Sequence, residues 1–281
     1  MSENNKYLEF NNIYNMDCVE GLKQVESDSV DLIVTSPPYN LGIKYDSWND
    51  RMPWDEYLAW CREWLVECYR VLKDDGRICI NHYFCNNPID KDGNHESRFP
   101  LFDLKNIMDD IGYNAHRIAV WDDLTLVKQT AWGSWMSASA PHINCPYEGI
   151  LISYKSQWNK IDKGVSTISK NDFMEGCSGV WHIGTTISYT MANFPERLPQ
   201  LCIDLLSYKD DVVLDPFSGS GTTCFVANSL GRKFIGFEIS EAYWKQSLSR
   251  LQGMPYKVLP NDNPYNSMMK KQNRLFDIGD K

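Results

Sequence analysis

Long apolar runs are missing from this sequence of 281 residues. No run approaches the roughly 18 apolar residues that a membrane-spanning helix requires. The first ten residues, MSENNKYLEF, also lack the basic segment and the apolar stretch of a secretory signal. We therefore expect a cytoplasmic protein without membrane contact.

Cysteine and histidine clusters are missing as well. The nine cysteines are scattered, with no close pairs at zinc-ligand spacing, and several lie inside apolar runs, where a thiol packs as a small apolar group. The five histidines show no metal-like spacing. The sequence thus predicts reduced, structural cysteines and no bound metal.

An excess of basic residues, common in nucleic-acid-binding proteins, is also absent, because the formal net charge is −9. Net charge does not report where the charges lie, and a basic cleft can occur on an acidic protein. Composition therefore leaves the partner open.

What the sequence does contain is an alternation of strand-like and helix-like segments. Residues 30–36 and 77–83 have the composition of buried strands. Between them, from residue 54 to 72, apolar residues recur at steps of three and four, which is typical of a helix, and Lys-Asp-Asp-Gly at 73–76 predicts the turn that ends it. Further predicted elements are a helix at 101–111, strands at 116–121 and 149–155, a helix-like segment at 195–207, strands at 212–217 and 233–239 with a helix between them, and a helix at 241–251. The pattern predicts an α/β fold with a mostly parallel sheet and helices on both faces.

A glycine-rich turn at residues 215–223 stands between a predicted strand and a predicted helix. Gly219 and Gly221 let the backbone approach a ligand, and Glu238 follows at about the 20-residue spacing at which a carboxylate binds a ribose. Cys224 stands where a dinucleotide motif has its third glycine, and no P-loop lysine follows. S-adenosylmethionine is the remaining common occupant, with a purely structural turn as the alternative.

A second motif, Ser36-Pro37-Pro38-Tyr39, directly follows a predicted buried strand. Two prolines fix the backbone and remove two N–H donors. A hydroxyl, a rigid row of carbonyl acceptors and an aromatic ring remain, and together they suit a planar group that carries an amine. Taken alone, the motif is equally compatible with a plain Pro-Pro turn.

With both motifs, the sequence resembles the amino-methylating DNA methyltransferases, which modify N4 of cytosine or N6 of adenine. Their catalytic motif, (Asp/Asn/Ser)-Pro-Pro-(Tyr/Phe), matches residues 36–39, and their Phe-x-Gly-x-Gly motif matches Phe217, Gly219 and Gly221. The catalytic motif comes first, which resembles the permuted beta-class order. Further similar segments are Met16-Asp17-Cys18, residues 193–198 and residues 132–155.

The resemblance implies a Rossmann-like fold with a permuted motif order, S-adenosylmethionine as the methyl donor, and double-stranded DNA with its target base flipped out. Tyr39 would stack on that base, while Ser36 and the Pro37 carbonyl would accept hydrogen bonds from its amine, with no covalent intermediate. The implied catalytic residues are Ser36, Pro37, Pro38 and Tyr39. The implied cofactor-binding residues are Asp17, Cys18, Phe194, Asp215, Phe217, Ser218, Gly219, Gly221, Thr222 and Glu238.

Periodicity, composition and this resemblance together divide the chain into four parts. Residues 1–155 would be the catalytic half, 156–190 an irregular target-recognition segment, 191–253 the cofactor-binding half of the same domain, and 254–281 a polar tail. The candidate DNA contacts are Lys44, Arg51, Lys155 and Lys160, with Lys163 and Lys170 in the irregular segment. For any single one of them, a solvated surface side chain is the preferred alternative. A homodimer on a short palindrome and a restriction–modification setting are further expectations.

Several alternatives stay open. Serine at the head of the catalytic motif leans, by resemblance, towards N4 of cytosine, with N6 of adenine as the alternative. Methylation of RNA or of a protein amide, and a non-catalytic nucleic-acid-binding module, are the others. Cys145-Pro146 reverses the Pro-Cys order that methylation of a ring carbon would need, so we interpret Cys145 as structural.

Overall fold

The structure, a computed structural model, describes residues 7–42, 47–85, 97–123, 134, 136–141, 143, 145, 147–184 and 195–253. Within this part of the chain, eight strands form one sheet with seven helices around it. The strands are β1 (Asn12–Asn15), β2 (Val30–Thr35), β3 (Leu72–Tyr83), β4 (Asn114–Asp122), β5 (Glu148–Tyr154), β6 (Val180–His182), β7 (Val212–Asp215) and β8 (Lys233–Glu238). The helices are α1 (Cys18–Leu22), α2 (Trp54–Val71), α3 (Pro100–Ile111), α4 (Lys170–Gly176), α5 (Arg197–Leu206), α6 (Thr222–Ser229) and α7 (Glu241–Leu251).

The sheet has the strand order β1-β8-β7-β2-β3-β5-β4-β6. Neighbouring strands are parallel from β1 to β3, β5 is antiparallel to both β3 and β4, and β6 is parallel to β4. Seven described strands therefore share one direction, and their carboxyl ends meet the start of β5 at one side of the sheet, here called the carboxyl edge. The mostly parallel sheet is confirmed.

Helices cover both faces of the sheet, as expected. Strand β2 is buried throughout, and its side chains alternate between the two faces. Ile33 packs in the core beneath α1, α2 and α3, whereas Leu32 and Val34 pack in the core beneath α5, α6 and α7. A strand covered on both sides is mostly apolar, which explains the run Leu32 to Val34 in its centre, and its two buried polar residues, Asp31 and Thr35, lie near its ends and have partners.

The boundary between α2 and β3 differs from the prediction. The chain leaves α2 at Val71 and enters β3 at once, so no separate turn stands between them. Val30 of β2 pairs with Leu72, but Leu32 pairs with Arg77, so residues 73–76 bulge out of the ladder. Gly76 sits in this bulge, where an added Cβ would lie 2.8 Å from the Lys73 carbonyl oxygen.

Two short elements inside the irregular segment were not predicted. Ser169 caps the start of helix α4, because its hydroxyl accepts a hydrogen bond from the Asp172 N–H. Arg197 of α5 bonds Asp172 at 2.5 Å and Glu175 at 2.6 Å. Strand β6 is held in the sheet by its parallel pairing with β4. Elements of seven and three residues are too short to show a period. Among the residues that the structure describes, no helix is both long and apolar enough to cross a bilayer.

Candidate active site

The glycine turn lies at the carboxyl edge, between the end of β7 and the start of α6. Gly219 and Gly221 have φ of +51° and +79°, values that disfavour other residues. An added Cβ at Gly221 would lie 2.8 Å from Cβ of Ser247 on α7, so this glycine allows close packing. An added Cβ at Gly219 would meet nothing within 4 Å, which leaves space beside the turn for a ligand.

Glu238 lies beside this turn, as its spacing predicted. Its Oε2 accepts a hydrogen bond from the Gly219 N–H at 2.8 Å, and its Oε1 accepts one from the Ser240 N–H at 2.8 Å. The carboxylate is thus fixed at the end of β8, next to the open space at Gly219. The bond to the turn itself was not predicted.

Asp215 connects the turn with the catalytic motif. Its Oδ1 accepts hydrogen bonds from the Thr35 hydroxyl at 2.7 Å and from the Phe217 N–H at 3.0 Å. Because Asp215 is fully enclosed, burial raises the pKa of its carboxyl to about 6, although its hydrogen bonds oppose the shift. Thr35 directly precedes Ser36, so this bond places the two motifs side by side.

The side chains of four other predicted cofactor-binding residues contact other parts of the protein or are buried in it. The Phe217 ring meets Trp64 edge-on at 5.2 Å, and the Ser218 hydroxyl donates to the Phe237 carbonyl at 3.1 Å. The Thr222 hydroxyl accepts a hydrogen bond from Arg250 at 2.9 Å. The Cys18 thiol is buried. These side chains hold the turn and α1 in position.

Asp17 caps helix α1 at the same edge. Its Oδ1 accepts hydrogen bonds from the Val19 and Glu20 N–H groups, at 2.9 and 3.2 Å. The cap places Asp17 just beyond the end of β1, which pairs with β8. Two residues named from the sequence, Phe194 and Lys44, lie outside the described residues.

The Ser-Pro-Pro-Tyr motif follows β2 at the carboxyl edge. The Ser36 hydroxyl donates to the Tyr39 hydroxyl at 2.9 Å, and the Tyr39 ring stacks on His82 with centroids 4.1 Å apart. Tyr57 of α2 donates to the Pro38 carbonyl at 2.8 Å. The Ser36 hydroxyl is therefore held within the motif, while the Tyr39 ring and the Pro38 carbonyl are held by β3 and α2.

Two further residues complete this site and were missed in the sequence. The Tyr39 hydroxyl donates to Oε2 of Glu148 at 2.9 Å, and Asn81 Nδ2 donates to both groups, at 2.8 and 2.7 Å. Burial raises the pKa of the Glu148 carboxyl to about 7. Only the pairing of Tyr83 with Glu148 across β3 and β5 brings this acid to the motif, and nothing local in the sequence marks it.

The structure speaks against two of the predicted DNA contacts. Lys155 bonds Asp28 at 2.6 Å, and Lys160, with 7% of its side chain exposed, lies among Asp31, Asp211 and Asp75 at 2.9, 3.4 and 3.7 Å. Both lysines lie at the amino ends of β2, β3 and β7, opposite the carboxyl edge. Their charges are already matched by carboxylates, so we withdraw both as DNA contacts. Arg51, Lys163 and Lys170 are exposed.

The arrangement combines a ligand space at Gly219, a carboxylate beside it, and the hydrogen-bonded hydroxyls of Ser36 and Tyr39, which the Thr35–Asp215 bond joins to the turn. No cluster of three metal-ligating side chains occurs among the residues described. Such a site can hold a nucleoside-containing methyl donor next to a planar amine, and it works by positioning.

Comparison with known proteins identifies the family of this chain. A family model described as DNA methylase, for N6 and N4 methylation, matches residues 30–249. The Type II methyltransferase M.MjaVI of Methanocaldococcus jannaschii is 42% identical over 156 residues, which are 55% of this chain and 77% of that protein. The DNA adenine methyltransferase YhdJ of Escherichia coli is 32% identical over 251 residues, which are 84% of this chain and 80% of that protein.

The fold is shared with solved structures. TTHA0409 of Thermus thermophilus, complexed with S-adenosyl-L-methionine, superposes with a TM-score of 0.69 at 25% identity, over 86% of this chain and 93% of that one. The Rossmann-like fold and the methyl donor inferred from the sequence are both confirmed. The chain therefore belongs to the N6/N4 DNA methylase family, the site-specific DNA methyltransferases that depend on S-adenosylmethionine.

Proposed function

We propose that this methyltransferase modifies N4 of cytosine in a base flipped out of double-stranded DNA. The observation that carries the proposal is Ser36 at the head of the catalytic motif, with its hydroxyl held by Tyr39 at the carboxyl edge. Within the family that the sequence resembles, serine at this position leans towards cytosine N4. A hydroxyl oxygen can accept a hydrogen from the amine while it donates its own.

The residues around the glycine turn fit S-adenosylmethionine. The space at Gly219 admits a ligand against the backbone, and Glu238 offers a fixed carboxylate for a ribose. We assign binding of the donor to the turn at residues 215–222, to Glu238 and to Asp17. When bound, S-adenosylmethionine supplies an electrophilic methyl group.

The chain's own residues then orient the base. Because His82 covers one face of the Tyr39 ring, we place the target base against the other face. Ser36 and the Pro37 carbonyl accept the two amine hydrogens, which draws electron density onto a nitrogen whose lone pair is otherwise delocalised into the ring. Preorganised acceptors of this kind lower the barrier without a covalent intermediate.

Methylation of adenine N6 is the second candidate, and the relative YhdJ, a DNA adenine methyltransferase, supports it. Mass spectrometry of nucleosides from DNA incubated with the protein and S-adenosylmethionine separates the two. N4-methylcytosine is the expected product, and N6-methyladenine would overturn the choice of base. Ser36→Ala and Tyr39→Ala should both lose product, and full activity in both variants would contradict the assigned site.

We also propose where the protein contacts DNA and how it assembles. We assign target recognition to the segment that begins at residue 156 and contains α4 and β6, with Arg51, Lys163 and Lys170 as exposed basic residues. A homodimer on a palindrome and a restriction–modification setting fit the Type II relative M.MjaVI. Light scattering with DNA bound tests the dimer, and a protein mass near 32.5 kDa would contradict it.

A further inference from the structure

Three hydroxyl and carboxyl groups at the catalytic motif form one continuous chain of hydrogen bonds. Ser36 Oγ donates to the Tyr39 hydroxyl at 2.9 Å, and the Tyr39 hydroxyl donates to Glu148 Oε2 at 2.9 Å. Both bonds point the same way, from the head of the motif towards the carboxylate. The Ser36 oxygen keeps lone pairs with which it can accept a hydrogen from a substrate amine.

Methyl transfer to an amine creates a proton that must leave. As the C–N bond forms and the C–S bond breaks, the sulfonium becomes a neutral thioether and the nitrogen carries one hydrogen too many. A base that accepts this proton restores a neutral amine. Ser36 cannot keep the proton itself, because a protonated hydroxyl is far too acidic to persist at neutral pH.

We propose that Ser36 and Tyr39 relay this proton to Glu148, which is its terminal acceptor. The amine proton passes to Ser36 Oγ, the Ser36 proton to the Tyr39 oxygen, and the Tyr39 proton to Glu148 Oε2. The sulfonium loses its positive charge and the carboxylate loses its negative charge, so the net charge of the site does not change. This inference rests on the proposed amine methylation at Ser36, but not on whether the base is cytosine or adenine.

The surroundings of Glu148 suit an acceptor that must also release its proton. The residue as a whole is half-buried, although its carboxyl lies deep among neighbouring atoms. Burial raises the pKa of its carboxyl to about 7, and the charge of Asp123 also raises this pKa. The hydrogen bonds from Tyr39 and Asn81 lower the pKa and so oppose the shift. An acceptor with a pKa near the working pH transfers protons most efficiently.

Three other groups near Glu148, on β3, at the catalytic motif and at the end of β4, do not compete for the proton. On β3, burial lowers the pKa of His82 to about 3, which keeps its ring neutral. Burial likewise raises the pKa of the Tyr39 hydroxyl well above its ordinary value, so Tyr39 passes a proton on but does not lose it. At the ends of β4 and β6, Asp122 is paired with His182 at 3.0 Å.

The family motif accepts either tyrosine or phenylalanine at its last position, which provides a matched variant. Tyr39→Phe keeps the stacking ring and removes only the hydroxyl of the relay. Glu148→Gln keeps the size and polarity of the acceptor and removes its basicity. The control is Glu26→Gln, which makes the same chemical change at an exposed residue at the opposite edge of the sheet.

The test is the single-turnover rate of DNA methylation between pH 6 and 8, at saturating S-adenosylmethionine and DNA. We expect the wild-type rate and the Glu26→Gln rate to rise about tenfold per unit below a pKa near 7 and then to level off. Glu148→Gln and Tyr39→Phe should each be slower by about 10²-fold at pH 8, with a flat profile. The double variant should be no slower than the slower single variant, because both changes break one relay.

Thermal unfolding and the affinity for S-adenosylmethionine identify variants that fail for structural reasons. A folded Glu148→Gln that keeps the pH-dependent rise, or a double variant whose losses multiply, would overturn the relay. A wild-type protein that yields no methylated nucleoside on DNAs of mixed sequence would instead overturn the proposed function.

Discussion

The Glu238 carboxylate accepts a hydrogen bond from the Gly219 N–H at 2.8 Å, which ties the end of β8 to the glycine turn after β7. The acid therefore has two tasks: it shapes the turn, and it faces the space in which the donor's ribose is proposed to lie. Hydrogen bonds to a charged group contribute about 1.5–3 kcal/mol each. The consequences are measurable at several positions.

Replacing Glu238 should weaken donor binding. We expect Glu238→Ala to lower the affinity for S-adenosylmethionine by about 10- to 100-fold, because the turn loses its anchor and the ribose its acceptor. Isothermal titration calorimetry measures the change, with Glu26→Gln as the control. An unchanged Kd in Glu238→Ala would refute the assignment.

The two glycines of the turn should respond differently to alanine. Gly221→Ala combines a positive φ with a Cβ 2.8 Å from Ser247, so we expect a loss of about 3 kcal/mol in the free energy of unfolding. Gly219→Ala has only the conformational cost, about 1 kcal/mol, but its methyl group enters the ligand space and should weaken donor binding. Urea unfolding and calorimetry check the pair. Equal destabilisation by both would contradict the packing described.

Asp215 should make the protein's stability fall as pH rises. Its pKa is about 6 in the folded protein, above its ordinary value of 3.8, so the folded state favours the protonated form. This contribution, roughly 3 kcal/mol, is complete below pH 3.8 and is lost as pH rises through 6. Asp215→Asn keeps an acceptor for Thr35 and cannot ionise. Its stability relative to wild type should increase between pH 4 and 6 and stay level above, as urea unfolding can show. A difference that shrinks with rising pH would be incompatible with this account.

Lys160 should matter for stability and not for DNA. Lys160→Met leaves Asp31, Asp75 and Asp211 without this cation, so we expect a loss of about 3 kcal/mol in the free energy of unfolding. The salt dependence of DNA affinity should stay unchanged, whereas loss of a true phosphate contact lowers that slope by about 1. A reduced slope in a folded Lys160→Met would restore the original prediction.

Part of the site was predictable because its residues are contiguous in the sequence. Ser36 to Tyr39 and the turn at 215–223 each combine a buried strand with a local motif, and Glu238 follows at a fixed spacing. Glu148 and Asn81 were not predictable, because they reach Tyr39 through the register of β5 against β3. The burial of Lys160 was not predictable for the same reason, since its three carboxylates come from distant segments of the chain.

The sequence by itself determined the α/β alternation, the two motifs and the family, because periodicity and turn chemistry depend on neighbours along the chain. The tertiary structure decided which groups meet at the carboxyl edge and which charges are already matched at the other. The tertiary structure brings Asp215 into hydrogen bonding with Thr35 and Glu148 with Tyr39, and it buries Lys160 among three aspartates. Burial and long-range pairing set these contacts and the associated pKa shifts, and both arise only when distant strands come together in one sheet.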